Sequence, residues 1–281
     1  MFFNDYSKPG RGVKKRDPNQ PRIQVFMDVM PRKLWDLIKL NMLYLLTAIP
    51  LFSVTMVIVG IVSSTITDLI VVVFGDAAMV SFDVIMRIIL AFWFMIILGL
   101  GPVTAGYTYI IREYSREHYC WIISDFFERF KSNFKQGILL WIIDLAVFFL
   151  LVVAFKFYMN RGIFILQYII LLAGVMYAMI HIYIYQMMVT FDLSLKSLFR
   201  NSLIMSIAKA PASLIILLSN IIIYAIIPIA VLMTAKSNII ILIMLLTEVL
   251  ILPPVTSFAI NFYLDPILDK HINVENKTEQ A

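Results

Sequence analysis

Three ionisable side chains stand inside long apolar segments of this sequence, where they could bind a proton, a cation or a polar substrate. Asp144, His181 and Glu248 interrupt runs of residues that are otherwise almost entirely hydrophobic. Ionisable groups at membrane depth are costly and usually mark substrate or ion pathways. His181 precedes Val189 by eight residues and Glu248 precedes Val255 by seven, which predicts nearly equal depth. We therefore take the three as a candidate intramembrane polar site.

Two interpretations of these residues stay open on the sequence alone. A carboxylate that faces a polar centre could hold a proton, a cation or a substrate, with Gln186 and Asn220 as possible neighbours. The alternative, which we favour at this stage, is that each side chain is a neutral hydrogen-bonding group that joins neighbouring helices. Because Asp144 and His181 lie on consecutive antiparallel segments, we also predict that these two side chains pair directly.

The elements that would position these side chains are membrane-spanning helices. Of the 281 residues, 61% are hydrophobic and 15% are charged, whereas about a quarter of the residues in soluble domains are charged. A spanning helix needs about 20 apolar residues, and hydropathy predicts six such segments. They are Leu40–Val62, Ile88–Ile111, Ile138–Phe157, Ile163–Met188, Ala212–Met233 and Ile239–Tyr263. The stretch Leu69–Phe74 is too short to cross alone and is interpreted as an interfacial or end-of-helix piece.

The placement of Lys and Arg predicts that both termini face the cytoplasm. Nine Lys or Arg residues fall in positions 1–40, whereas the side assigned to the exterior has only Arg87, Lys156, Arg161 and Lys236. An excess of basic residues marks the cytoplasmic side of a membrane protein. We therefore predict a multi-pass protein of the bacterial cytoplasmic membrane, N-in and C-in. The net charge of +5 is then an orientation signal, and nucleic acid is not an expected partner.

Three short amphipathic motifs predict an internal repeat. Each contains Lys or Arg near its end, finishes on Asn and precedes an odd-numbered span: Leu34–Asn41, Phe126–Asn133 and Ser194–Asn201. A Val-Thr pair stands near the cytoplasmic end of the second, fourth and sixth spans: Val103-Thr104, Val189-Thr190 and Val255-Thr256. Chance similarity between apolar sequences is the alternative. We favour duplication because three pairs of motifs match at similar spacing.

The predicted fold is an all-α membrane protein whose six transmembrane helices form three similar hairpins, each preceded by an amphipathic interfacial helix. The hairpin units are residues 34–112, 126–190 and 194–263, which together form one membrane domain. Residues 1–33 form a basic cytoplasmic segment, and residues 264–281 form a cytoplasmic tail. Small residues, prolines and threonines near the inner ends predict close packing and kinks: Gly101, Pro102, Thr104, Gly106, Pro254 and Thr256. Tyr44 and Tyr107 are assigned to the interfacial aromatic belts.

Motifs for familiar catalysis are missing from the sequence. The one cysteine, Cys120, excludes an internal disulfide, and the three histidines lack the spacing of metal ligands. There is no phosphate-binding glycine loop, no HExxH and no GxSxG. We therefore expect no cofactor, no metal and no enzymatic activity.

Two runs, GPVTAGYTYIIREY at Gly101–Tyr114 and SDFFERFKSNFKQGILLWI at Ser124–Ile142, resemble the YesL family of bacterial membrane proteins. Leu40–Phe52, Lys196–Leu218 and Lys8–Pro18 are similar as well, so the resemblance covers nearly the whole chain. The family has no established molecular function and no established catalytic residues. Its members are often encoded beside sugar-uptake ABC transporters and glycan-degrading enzymes. The resemblance thus implies a link to carbohydrate utilisation, with the lipid bilayer and sugar ABC transporter components as partners.

Two functions follow as hypotheses. The first is an accessory or regulatory membrane protein that serves carbohydrate uptake. The alternative is a transporter of small molecules or ions with a polar site between the hairpins. A continuous polar cavity that reaches Asp144, His181 and Glu248 would favour transport, whereas a dry, apolar axis would favour the accessory role.

Overall fold

The computed structural model describes residues 21–74, 91–234, 239, 243, 244 and 246–278. All regular elements in these ranges are helical, and a π-helical turn, Thr247–Ile251, precedes the last helix. We number the helices in chain order: α1 Arg22–Phe74, α2 Ala91–Ile97, α3 Pro102–Ser115, α4 Ile122–Ser132, α5 Phe134–Asn160, α6 Phe164–Thr190, α7 Leu195–Ala208, α8 Ala210–Thr234 and α9 Leu252–Thr278.

Helix α1 is continuous over 53 residues, although Pro31 and Pro50 lie inside it. At 1.5 Å per residue it is about 80 Å long, far more than the roughly 30 Å of a bilayer core. One face is buried at helical spacing, through Val25, Val29 and Leu37 to Ala48. The separate amphipathic helix predicted at 34–41 is therefore wrong, because this motif continues directly into the first apolar segment. The stretch 69–74 forms the last turns of α1, and residues 75–87 lie outside the described part.

The second predicted span is broken where a continuous helix was expected. Helices α2 and α3 meet at an angle of 51°, and two glycines in the intervening residues adopt positive φ, 83° at Gly99 and 58° at Gly101. Residues other than glycine rarely adopt this backbone conformation. Pro102 then begins α3, at a position where its missing N–H costs no hydrogen bond.

Short helices α4 and α7 cover the second and third amphipathic motifs. Helix α4 buries only Phe126 and ends before Asn133, after which α5 begins. At the start of α7 the Ser194 side chain accepts a hydrogen bond from the Ser197 N–H, which satisfies a donor left free at the first turn. Helices α7 and α8 meet at 94°, so α8 departs almost perpendicular to α7.

The C-terminal residues differ from the predicted tail. Helix α9 continues to Thr278, so residues 264–278 extend the last helix. Its buried side chains Phe258, Phe262 and Leu264 belong to the hydrophobic core. Helix α9 contacts α1, α3, α6 and α8, and thereby connects the two ends of the chain.

Four helical segments are long and apolar enough to cross a membrane, and the number rises to six if each bent pair counts as one span. The four are Arg22–Ile61, Phe134–Asn160, Phe164–Thr190 and Thr247–Asp269, and the bent pairs are α2 with α3 and α7 with α8. Large apolar side chains are exposed on these helices, for example Ile165 on α6 and Ile215 on α8. Such outward apolar faces are typical of helices that contact lipid, and the chain has the character of a multi-pass membrane protein.

Candidate functional site

Asp144 and His181 face each other across the packed helices α5 and α6. His181 Nε2 lies 2.9 Å from Asp144 Oδ1, and both side chains are 0% exposed. The Tyr177 hydroxyl donates a hydrogen bond of 2.6 Å to the same carboxylate oxygen. The direction from Nε2 to Oδ1 departs from ideal hydrogen-bond geometry, but the distance allows a proton to be shared. The structure therefore places the two residues together as the antiparallel hairpin predicts.

His181 also lines a cavity of about 130 Å³ between the helices. Six helices contribute to its wall: α1, α2, α3, α6, α8 and α9. Apolar side chains form much of the wall, and hydroxyl and amide side chains are set among them: Asn41, Tyr44, Thr104, Tyr107, Thr108, Tyr185, Gln186, Asn220, Tyr224, Thr256, Ser257 and Asn261. Asp, Glu, Lys and Arg are missing from the described wall. The described wall thus combines apolar surface with hydrogen-bonding groups and has no carboxylate, ammonium or guanidinium group.

Four polar atoms of cavity-lining residues have no hydrogen-bond partner among the described residues. They are Asn41 Oδ1, the Tyr107 hydroxyl and both ring nitrogens of His181, of which Nε2 lies near Asp144. Buried polar groups nearly always have a partner, from protein or from ordered water. Because an unpaired buried polar group costs about 1–3 kcal/mol, these atoms favour a polar occupant of the cavity. By liquid volume the space corresponds to roughly four water molecules.

The broken helix forms one side of this cavity and satisfies its own backbone groups with side chains. Leu100 N–H donates to Thr104 Oγ1 over 2.7 Å, and Gly101 N–H donates to the Tyr185 hydroxyl over 3.1 Å. The Thr104 hydroxyl also lies 3.2 Å from the hydroxyl of Tyr44 on α1. The Thr104 hydroxyl therefore accepts from an N–H that the break leaves free.

The π-helical turn before α9 lies against α1 near the same cavity. Asn41 Nδ2 donates to the carbonyls of Val249 (2.9 Å) and Leu250 (3.2 Å). Single π turns widen a helix locally and occur often at functional sites. Asn41, which ends the first amphipathic motif, thus joins α1 to the irregular turn and also lines the cavity.

Glu248 lies in this π turn and is 5% exposed. Glu248 is not one of the cavity-lining residues. Asp144 does not line the cavity either, and instead contacts the cavity-lining His181. The predicted convergence of three ionisable residues on one centre is therefore wrong in detail, because only His181 reaches the cavity. The two predicted neighbours, Gln186 and Asn220, do line it.

The predicted packing and kink motif has a different role at each position. Gly101 faces the backbone of Gly137 so closely that a Cβ at either residue would meet the other helix at 2.5 Å. A Cβ at Gly106 would lie 2.8 Å from the Phe126 carbonyl oxygen. Pro254 stands in the first turn of α9 after the π turn. Pro102 therefore begins α3 directly after the 51° break, whereas Pro254 lies in the first turn of α9, and the close packing of Gly101 and Gly106 is seen in the backbone contacts.

Thr256 makes hydrogen bonds within its own helix and to α8. Its hydroxyl donates to the Leu252 carbonyl over 2.9 Å, and the hydroxyl of Tyr224 on α8 lies 2.9 Å from it. Tyr44 and Tyr107, which the sequence assigns to interfacial belts, instead line the cavity with their ring centroids 4.7 Å apart. Each tyrosine follows a polar cavity-lining residue by three positions, Tyr44 after Asn41 and Tyr107 after Thr104. A hydropathy profile does not detect this spacing.

Residues with metal-binding side chains do not cluster in the described part of the chain: no group of three or more His, Cys, Asp or Glu is placed to hold an ion there. Together with the uncharged wall, this arrangement suits hydrogen bonding to a neutral solute better than coordination of a cation. The expectation that the chain needs no metal or cofactor stays a prediction.

Comparison with known proteins gives a family without an assigned activity. Residues 37–155 match a family model described as "Protein of unknown function, DUF624". The matched region runs from within α1 through most of α5 and includes Asn41, the broken helix and Asp144. It is consistent with the bacterial membrane family that the sequence resembles. No curated protein and no solved structure matches the chain.

Proposed function

We propose that this protein binds a small, uncharged polar solute between its helices and carries it across the membrane. The observation behind this proposal is the cavity of about 130 Å³, whose wall places hydroxyl and amide groups among apolar side chains and whose residues include four buried polar atoms without a hydrogen-bond partner in the described structure. Typical pockets for drug-sized ligands have volumes of about 300–1,000 Å³. A short polyol or a solute of similar size suits the cavity better than a larger molecule.

Irregular backbone beside the cavity supports transport over a purely structural role. In many secondary transporters, discontinuous helices surround the binding site, because unwound backbone is tolerated there only where it lines a cavity or is buried in protein. Here the α2–α3 break contributes Gly99 to the wall, and the first turn of α3 contributes Thr104. The π turn is held by Asn41, also a wall residue. Both irregular segments can change conformation with less disruption than a regular helix.

The proposal includes six spans in three hairpins, with both termini in the cytoplasm. The spans would be α1, α2 with α3, α5, α6, α8, and α9 with its preceding π turn. Ion pairs support a common side for three of their ends: Arg32 on α1 contacts Glu117 after α3 over 2.8 Å, and Arg116 contacts Asp265 on α9 over 2.8 Å. These are the ends that the basic residues assign to the cytoplasm.

Cysteine labelling tests this topology. In a Cys120→Ser background, two separate variants, Asn160→Cys and Ser132→Cys, each carry a single thiol at an exposed position. We expect a membrane-impermeant maleimide to label position 160 in intact cells and position 132 only after permeabilisation. Labelling of both positions in intact cells would contradict the arrangement.

Solute entry into proteoliposomes tests the function. Purified protein would be reconstituted, and the entry of glycerol and erythritol would be followed by light scattering after an osmotic step. We expect both solutes to enter faster than into protein-free vesicles. Asn220→Phe should abolish most of this difference, because it fills the cavity from α8.

Ser219→Phe is the matched control, since Ser219 is the neighbouring residue on α8 and faces outward. It should leave solute entry unchanged. If wild-type vesicles and protein-free vesicles take up both polyols at the same rate, transport of small neutral solutes is wrong. If both phenylalanine variants reduce entry equally, the cavity is not the path.

The accessory role in carbohydrate uptake stays a prediction from the family resemblance. Its test is the identity of membrane proteins that co-purify with the chain after mild detergent extraction. A sugar permease component recovered in stoichiometric amount would favour that role.

A further inference from the structure

Four charged side chains between α3 and α9 support a further inference, which rests on the proposed solute cavity and its topology. Arg112 Nε lies 3.2 Å and Arg116 Nε 2.8 Å from Asp265 Oδ1, and Asp269 contacts both arginines. We propose that these four residues form the cytoplasmic gate of the cavity. The gate is closed while the charges are paired, and it opens when α3 and α9 separate and water hydrates the charges.

The gate lies one helical turn beyond the cavity wall on both helices. Thr108 on α3 and Asn261 on α9 line the cavity, and Arg112 and Asp265 follow them by four residues each. Residues four apart share one face of a helix and lie about 6 Å apart along its axis. The inner ion pair therefore stands directly beyond the wall, toward the C-terminal ends of α3 and α9. These are the ends that the basic residues assign to the cytoplasm.

Exposure of the four side chains increases away from the cavity. Arg112 and Asp265 are 7% and 11% exposed, whereas Arg116 and Asp269, one turn further along each helix, are 24% and 45% exposed. The inner pair is thus closed to water, and the outer pair reaches it. A solute that leaves the cavity between α3 and α9 would have to pass both pairs.

Irregular backbone precedes each of the two helices that carry the gate. Helix α9 follows the π turn, and α3 begins at the 51° break. The contact between Gly101 and Gly137 holds the N-terminus of α3, so a rotation there moves its other end. Arg112 lies 11 residues after Gly101, about 17 Å along the helix, and a rotation of about 20° would move it by about 6 Å. Helix α4 would move with α3, because it packs on Gly106.

Charged groups suit this position because the closed and open arrangements then differ little in free energy. A buried ion pair gains Coulomb attraction but loses hydration, and the two contributions nearly cancel. Opening toward the cytoplasm restores the hydration. An apolar contact in the same place would instead favour closure, since opening would expose it to water. The chemical type of the closing side chains therefore affects access to the cavity as well as stability.

The first test measures cytoplasmic access without any solute. In a Cys120→Ser background, Thr108→Cys places a thiol in the cavity wall. Inside-out membrane vesicles present the cytoplasmic face to a charged methanethiosulfonate, which reacts with thiolates that water reaches. We expect Asp265→Asn to make labelling at least about tenfold faster, because the unpaired buried guanidinium favours an open, hydrated arrangement. Asp269→Asn is the matched control and should change the rate less than about twofold, because its ion pair is already screened by solvent.

Two controls separate a gate from general loss of structure. Ser202→Cys places a thiol at a fully buried position on α7 that does not line the described cavity wall. It should stay slowly labelled when Asp265→Asn is added. Labelling of Thr108→Cys in right-side-out vesicles should also stay slow. An unchanged rate at position 108, faster labelling from both sides, or faster labelling at position 202 would each overturn the gate.

The second test measures solute entry in a variant that is expected to keep its fold. Arg112→Met with Asp265→Leu replaces the buried ion pair by apolar side chains. We expect glycerol entry into proteoliposomes to fall more than about tenfold, because opening would expose both apolar side chains to water. A network with a structural role alone predicts that entry is retained together with stability.

The two tests distinguish failure of the gate from failure of the proposed function. Glycerol entry at the wild-type rate in the double variant would overturn the gate, while solute transport would stand. Side-specific labelling at position 108 that depends on Asp265, in a protein that admits no polyol, would contradict the transport function. In that case closure of the cavity by the four charged residues would stand.

Discussion

At the scale of single residues, one asparagine joins the irregular backbone to the rest of the molecule. Asn41 is fully buried, and its amide donates to two carbonyls of the π turn. Asn133, which ends the second amphipathic motif, donates to the carbonyl of Arg129 in its own helix, at a partly buried site. The same motif position therefore has a tertiary role in one case and a local role in the other.

This difference gives a prediction for a matched pair of variants. Asn41→Leu removes the donor shared by two carbonyls and should lower the free energy of unfolding by about 1–3 kcal/mol. Asn133→Leu should cost less, about 0.5–1.5 kcal/mol, because its bonds to the Arg129 carbonyl and the Ser132 hydroxyl lie at a partly exposed site where water can replace them. Unfolding of detergent-solubilised protein, followed by heat or denaturant, measures both. Equal losses would mean that the contact to the π turn contributes little.

Cys120, in the loop between α3 and α4, gives a prediction about pH. Burial raises the pKa of its thiol to about 11, opposed by a hydrogen bond with Tyr114. Since only the thiolate reacts quickly, labelling with iodoacetamide should be slow at pH 7. The rate should still rise about tenfold per pH unit between pH 8.5 and 10, where an ordinary thiol with a pKa near 8.5 approaches its plateau. A plateau below pH 9.5 would contradict this shift.

At the scale of elements, α5 and the α2–α3 break approach each other closely through glycine. Gly137 on α5 packs against Gly101 and Pro102 with no room for a Cβ. Contact of this kind lets two backbones meet and recurs between membrane helices. It holds the N-terminus of α3 beside Trp141, whose indole N–H donates to Thr55 on α1 over 3.2 Å. The position of the break relative to the cavity depends on this glycine pair.

Substitutions at two glycines inside helices separate the effect of close backbone packing on stability from the effect of helix propensity. Gly137→Ala should lower stability by about 1–3 kcal/mol, because the new methyl group overlaps the backbone of α3. Gly174→Ala, inside α6, meets only an ordinary contact at 3.8 Å from Leu151. It should raise stability by about 0.5–1 kcal/mol, since alanine is the better helix former. Thermal unfolding of the two variants checks the opposite signs, and a loss of similar size in both would contradict the close contact.

The sequence predicts elements here better than it predicts breaks within them. Apolar length locates α5 and α6 within a few residues, and their antiparallel order is enough to bring Asp144 and His181 together. The break at residues 98–101 and the fusion of 34–41 with the first span depend on tertiary contacts, among them Tyr185 with Gly101 and Asn41 with the π turn. Hydropathy gives depth along a helix but not the direction of a side chain. For that reason Glu248 was expected in the cavity, and Tyr44 and Tyr107 were expected at the interface.

At the scale of the whole molecule, a network of two arginines and two aspartates connects α3 to α9, about 150 residues later in the chain. Arg112 Nε lies 3.2 Å and Arg116 Nε 2.8 Å from Asp265 Oδ1, and both arginines also contact Asp269. Arginine stays protonated in proteins, and the guanidinium of Arg112 is buried beside these carboxylates. Hydrogen bonds and charge interactions with Asp265 and Asp269 outweigh burial at Arg116 and raise its pKa. Both arginines therefore remain charged at physiological pH and need their carboxylate partners.

The two aspartates differ in exposure, and this difference predicts unequal contributions to stability. The Asp265 side chain is 11% exposed and contacts Arg112, which is 7% exposed, whereas the Asp269 side chain is 45% exposed. Asp265→Asn leaves a buried guanidinium without its main counter-charge, which should cost about 3–5 kcal/mol. Asp269→Asn removes a solvent-screened partner and should cost about 0–1 kcal/mol.

Replacement of the buried pair by Arg112→Met with Asp265→Leu should recover most of the loss, because no unpaired charge then remains. Denaturant unfolding of the four proteins measures these differences. Equal losses in the two single variants, or no recovery in the double variant, would mean that the closure of α3 on α9 rests on the surrounding apolar contacts rather than on this network.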